Sequence, residues 1–126
     1  MNAVNPQQMK VASDHDLILL RQAVRNAARS AGLGSAQQAR FTAAISEVAR
    51  ALIAGAGESS FTIGLSQPPA RDALEVCCLV RGDHLLDPAA LYGSASVAGA
   101  RTLVDDAQLD QAPSCLQLML RMWLAH

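Results

Sequence analysis

Few side chains in this 126-residue sequence could do chemistry, and they are scattered. Glu47 and Arg50 stand three apart in a segment of helical apolar spacing, which puts carboxylate and guanidinium on one edge. By itself such a pair reads as a polar helix edge. His15, His84 and His126 are far apart, with no carboxylate placed to complete a triad. Cys77 and Cys78 are adjacent, Cys115 stands alone, and no CxxC or Cys/His ligand spacing exists. A metal site is therefore not expected, and the cysteines read as small core residues of a reducing compartment. Asp105, Asp106 and Asp110 read as an acidic, solvated helix end. Arg21, Arg25 and Arg29 repeat every four residues, either as a solvated stripe or as a surface for an acidic partner.

The elements that must position these residues follow from hydrophobic periodicity. Met9 and Val11 flank Lys10 as a short strand. Ser13 with Asp16 resembles a capping box, and Leu17, Leu20, Val24, Ala27, Ala28 and Ala31 then recur at helical spacing. Gly32 and Gly34 end that helix. Ser35 as cap and Gln38 as its box partner open a second, with Phe41, Ala44, Ile45, Val48 and Leu52 inward. The period then changes to two at Phe61, Ile63 and Leu65, a strand, followed by a turn over 67–72 containing Pro68 and Pro69. Residues 74–80 form a second strand, apolar on both faces. Residues 85–92 are irregular or one helical turn, 96–106 a short helix, and 115–124 a long alternating strand.

This order predicts an α+β two-layer sandwich, with helices on one face of a mixed sheet. The length suits one domain spanning 1–126, with its core at about 9–124. Hydrophobic residues make up 51% and charged ones 17%, which excludes a disordered chain. A net charge of −1 supplies no basic field for nucleic acid. No apolar run approaches the roughly 18 residues of a membrane span, and Met1–Lys10 lacks a secretory apolar region. The expectation is a soluble, cytoplasmic protein.

Ala44-Ile45-Ser46-Glu47-Val48-Ala49-Arg50-Ala51 resembles the N box of the RsbT-like anti-sigma regulatory serine/threonine kinases, small members of the GHKL superfamily. The segment Asp16-Leu17-Ile18-Leu19-Leu20-Arg21-Gln22, with Arg25, resembles that family's first helix. Gly32-Leu33-Gly34-Ser35 with Gln38-Ala39-Arg40 resembles its linker. Leu74-Glu75-Val76, Asp87-Pro88-Ala89-Ala90-Leu91, Gly99-Ala100-Arg101-Thr102-Leu103-Val104-Asp105 and Arg121-Met122-Trp123-Leu124 are similar to later pieces, in the right order. The resemblance implies the histidine-kinase-like ATPase (Bergerat) fold. It also places Glu47 at the general-base position and Glu47, Arg50, Gly82, Asp83 and Gly99 at nucleotide-site positions.

The family's nucleotide motifs are degraded here. Its N-box Asn, a magnesium ligand, is replaced by Ala51, four residues after Glu47. A methyl group cannot ligate a hard cation. The family's Asp-x-Gly-x-Gly stands as Val80-Arg81-Gly82-Asp83-His84, so Val80 replaces the carboxylate that meets adenine and His84 the second glycine. The glycine-rich lid is a short Gly93-Ser94-Ala95-Ser96-Val97-Ala98-Gly99, in which Ser96 reads as a helix cap. Losing these contacts would cost roughly 4–8 kcal/mol, enough to move a micromolar site to millimolar or beyond.

The sequence therefore predicts a non-catalytic protein-binding module of bacterial partner switching, a pseudokinase without ATP or magnesium, with Glu47 vestigial. The resemblance implies a STAS-domain antagonist or a phosphatase-type regulator as partner. Two alternatives stand beside it. One is an active kinase in which Glu47 and Asp83 hold magnesium, and the other is a structural homodimer. The non-catalytic readings expect Leu79, Val80 and Leu85 to close over the former adenine site.

Overall fold

The computed structural model describes residues 7–56, 59–66, 72–81, 88–112 and 115–124. Gly82, Asp83, His84, Leu85 and most of the 67–72 turn lie outside these residues, so the expectations placed on them do too. The elements are β1 (Gln7–Val11), α1 (Asp14–Ser30), α2 (Ser35–Ala56), β2 (Ser59–Ser66), β3 (Ala73–Arg81), α3 (Pro88–Tyr92), α4 (Ala95–Leu103), β4 (Asp106–Ala112) and β5 (Cys115–Trp123). They form an α+β structure with a five-stranded sheet in the order β1-β2-β3-β5-β4. Every pairing is antiparallel, which corrects the mixed sheet expected from sequence.

Alternation along the strands builds the core. Phe61 and Ile63 of β2, Leu74, Val76, Cys78 and Val80 of β3, and Leu116, Leu118, Leu120 and Met122 of β5 are all buried. Their period of two puts them on one face of the sheet. The helices cover that face with Leu17, Leu20 and Val24 of α1, Phe41, Ile45, Val48 and Leu52 of α2, and Val97 and Ala100 of α4. Leu79 falls on the opposite face from Val80, so the two cannot close over one cleft as the sequence reading proposed.

The helix ends show why the chain turns where it does. Ser13 Oγ accepts from Asp16 N at 3.2 Å, and Asp16 Oδ2 accepts from Ala12 N at 2.9 Å. The Ala12 hydrogen bond holds the Asp16 carboxyl below its ordinary range. At the other end of α1, Gly32 adopts φ 88°, where an L side chain would be strained. Leu33 N donates to Ala28 O at 3.0 Å and Gly32 N to Arg29 O at 3.1 Å, the Schellman pattern.

The second helix is capped one residue earlier than Ser35. Gln38 N donates to Gly34 O, and Gly34 N donates to Gln37 Oε1 at 3.0 Å. Gly34 is thus the cap and Gln37 its reciprocal partner, while Gln38 Nε2 reaches Leu33 O at 2.8 Å. Among the described residues, no helix is long and apolar enough to cross a membrane.

One element has no counterpart in the sequence reading. The expected acidic helix end is not helical: Asp105 precedes β4, and Asp106 and Asp110 lie within it, an edge strand. Val104 closes α4 in extended geometry at φ −116°, ψ 163°. Asp105 Oδ2 then accepts from Trp123 N at 2.8 Å. Asp106 Oδ2 meets Arg121 Nη1 at 2.7 Å, while Arg121 Nε holds Glu75 Oε2 at 2.6 Å. One guanidinium therefore ties β3, β5 and β4 together on the sheet face away from the helices.

Candidate functional site

The site begins at the outer edge of α2, where α4 lies against it. Glu47 and Arg50 are neighbours on that edge, joined at 3.4 Å from Arg50 Nη1 to Glu47 Oε1. Both are half exposed, so the pair contributes at most about 1 kcal/mol and holds neither group rigidly. Glu47 also lines a shallow cleft of about 390 Å3 with Ala95, Ser96, Gly99, Thr102 and Leu103 of α4. The structure thus brings Glu47 and Gly99 to one cleft, with Arg50 beside it. Gly82 and Asp83 are outside the described residues.

The segment that the resemblance matches to a lid is a helix junction in this structure. Only Gly93 and Ser94 separate α3 from α4. Ser94, not Ser96, is the cap: its Oγ accepts from Val97 N at 3.4 Å and donates to Leu91 O at 2.7 Å. Tyr92 fastens this junction from the other side. Its hydroxyl donates to Ala107 O at 3.3 Å, and the Arg101 guanidinium stacks 4.0 Å from the ring centroid. Arg101 Nη1 also donates to Tyr92 O at 3.4 Å. Sequence reasoning missed this latch, because nine residues separate its members with no shared period.

The resemblance brings magnesium and ATP into question, and the side chains at the matching positions can be tested for them. Ala51 sits one turn beyond Glu47 on α2, half-buried and packed against the core, and carries no donor atom. Val80 is 8% exposed and belongs to the apolar core. Among the described residues, no three His, Cys, Asp or Glu side chains converge as a metal site. These positions supply neither the oxygen ligand nor the base-edge acceptor that the motifs call for. Burial pushes the Cys77 thiol up and the Cys78 thiol well above its ordinary range, so neither of these two is an activated nucleophile.

Gly99 differs from those losses. A methyl built on it meets nothing within 4 Å, and its helical backbone needs no glycine. Gly99→Ala is expected to stabilise the chain by about 0.5–1 kcal/mol, through helix propensity alone. Urea denaturation would read this, and a loss of stability would mean that the cleft is tighter than it stands here.

Comparison with known proteins bears on this geometry. No protein-family model matches the chain. Over 59 residues it is 39% identical to the serine/threonine-protein kinase RsbT of Bacillus subtilis (strain 168). That match spans 47% of this chain and 43% of the kinase, less than half its length. The chain resembles RsbT/RsbW-type anti-sigma kinase-like proteins. The crystal structure of the RsbU and RsbW domains of Rv1364c from Mycobacterium tuberculosis superposes with a TM-score of 0.68 at 16% identity. The superposition takes in 98% of this chain and 33% of that one. At that identity the likeness shows the fold alone, a two-layer α+β sandwich as expected from the element order.

Proposed function

We propose that this chain is an RsbT/RsbW-like regulator of partner switching that works in the cytoplasm by binding proteins, without nucleotide chemistry. The observation that carries the reading is Ala51. It occupies the face of α2 one turn beyond Glu47, where a metal ligand is required, and only its methyl is offered there. Val80 supports it from the sheet side, since a buried aliphatic group accepts no hydrogen bond from a base. The two-residue junction before α4 supports it again, being too short to wrap a triphosphate. Glu47 is then a general-base position with no phosphoryl group to act upon. The partner class we infer is a STAS-domain antagonist or a phosphatase-type regulator, in keeping with the relatives' partner-switching chemistry.

The test is thermal denaturation of the full chain with millimolar ATP and magnesium, repeated on Glu47→Ala. A ligand at 100 times its dissociation constant would stabilise by about 2.7 kcal/mol, several degrees for a chain of this size. We expect no magnesium-dependent shift in either protein. A rise of several degrees that needs magnesium and vanishes in Glu47→Ala would restore the kinase alternative.

A further inference from the structure

The outer face of α1 is not accounted for by anything above. Ile18, Arg21, Gln22, Arg25 and Arg29 recur at three- and four-residue spacing, so they form one narrow stripe along the helix. All five are exposed. Arg29 lies eight residues beyond Arg21, about 12 Å along the helix. Among the described residues, none of the three arginines takes part in an ion pair. The chain as a whole carries a net charge of −1, so this stripe is a local concentration of positive charge and not the edge of a basic protein.

Two further features separate the stripe from an ordinary solvated face. Ile18 is 54% exposed and Leu19 42%, two of the three exposed large apolar side chains among the described residues. Beside them Ile18, Arg21, Gln22 and Arg25 line a concavity of about 210 Å3. An aliphatic anchor, a recess and a row of guanidiniums occur within three turns of one helix. Guanidinium forks match carboxylates in pairs, and carboxylates on a facing helix would recur at the same four-residue step.

We infer that this α1 face docks an acidic amphipathic helix of a protein partner. One aliphatic side chain of that helix enters the Ile18 recess, and its carboxylates meet Arg21, Arg25 and Arg29. The inference rests on the protein-binding reading and deepens it by naming the surface and the partner's chemistry. A membrane is the weaker occupant. The broad apolar side of α1, with Leu17, Leu20, Val24, Ala27 and Ala28, is spent on the core, leaving too narrow an apolar strip to enter lipid.

The test uses the full chain, labelled with nitrogen-15, and two synthetic helical peptides. One carries leucine anchors with glutamates at four-residue spacing, and the other has lysine in place of every glutamate. We expect the acidic peptide to shift the amides of Ile18, Arg21, Gln22 and Arg25, and the lysine peptide to leave them unmoved. Rising salt should weaken the binding, as screening shortens the reach of the charges. The double variant R21E/R25E should bind roughly tenfold more weakly or worse, while melting like the parent because both side chains are exposed.

Absence of α1 shifts at millimolar acidic peptide overturns the inference, as do shifts centred elsewhere. Equal shifts from both peptides remove the charge argument and overturn it too. The same amides responding to phosphatidylglycerol vesicles but not to peptide would assign the face to membranes. Their response to dilution, with sedimentation showing a dimer, would assign it to a second copy. A magnesium-dependent ATP shift would sink the non-catalytic reading while leaving the peptide result to stand on its own.

Discussion

Phe61→Ala is expected to cost about 3–5 kcal/mol, between roughly a fifth and all of the stability of a typical domain. Phe61 is fully buried at the middle of β2, with Met9 of β1 and Cys78 of β3 as its register partners. The chain has only two phenylalanines, and both are fully buried. The rest of the core is Ala, Leu, Ile and Val, with one methionine and one cysteine. Short branched side chains fixed by the sheet cannot swing into the space a ring leaves, so the cavity persists. The melting temperature should fall by roughly 10–20 °C. Thr62→Ala, one residue along on the exposed face, should stay within about 0.5 kcal/mol. Urea denaturation of both variants separates the faces. A loss below about 1.5 kcal/mol for Phe61→Ala would mean that the sheet does not pack in this register.

Where the sequence could be read and where it could not has a physical pattern. Helices α1 and α2 were legible because each buries a continuous 3.6-period stripe and ends on turn chemistry. The central strands β3 and β5 were legible because their buried faces are unbroken runs at period two. Edge strand β4 was not, since Leu109 is its one large apolar residue and little of it is buried. What makes Asp106–Ala112 a strand is its hairpin pairing with β5 and the Arg121 bridge to Asp106, neither of which shows as an apolar period in β4 itself. Strand direction was equally invisible, because it depends on how the connections run and not on the strands' own residues.

The candidate site divides in the same way. Glu47 and Gly99 were found from motif spacing, and the fold does set both beside one cleft. Ser96 as cap failed by two residues, within the usual uncertainty of a helix start. Leu79 as a partner of Val80 failed against the strand's own period, which forbids neighbours from sharing a face. That error was avoidable. Arg101 stacking on Tyr92 was not, because only the α3–α4 junction brings them together.

Writing the kinase motif's residues into this chain should be costly at one position and cheap at the other. Ala51 is half-buried at a helix edge, so Ala51→Asn should lose only about 0.5–1 kcal/mol, mostly helix propensity. Val80 is a core residue opposite Leu116 in the β3–β5 pairing, and Val80→Asp puts a carboxylate among aliphatic groups. An unpaired buried charge there should cost about 3–5 kcal/mol and lower the melting temperature by roughly 10 °C or more. Burial would raise the introduced carboxyl's pKa in the folded state above its unfolded value. The folded state then holds its proton to higher pH, so below the unfolded pKa only the smaller cost of burying a neutral carboxyl remains. The penalty grows as pH rises and levels off above the folded pKa. Melting curves from pH 4 to 8, set against the parent, would show the gap widening with pH. A variant that melts like the parent at pH 8 and gains a magnesium-dependent response to ATP would show that Val80 borders an open nucleotide cleft. The core assignment and the non-catalytic reading would then fall together, since both rest on the Val80 side chain being packed in the apolar core.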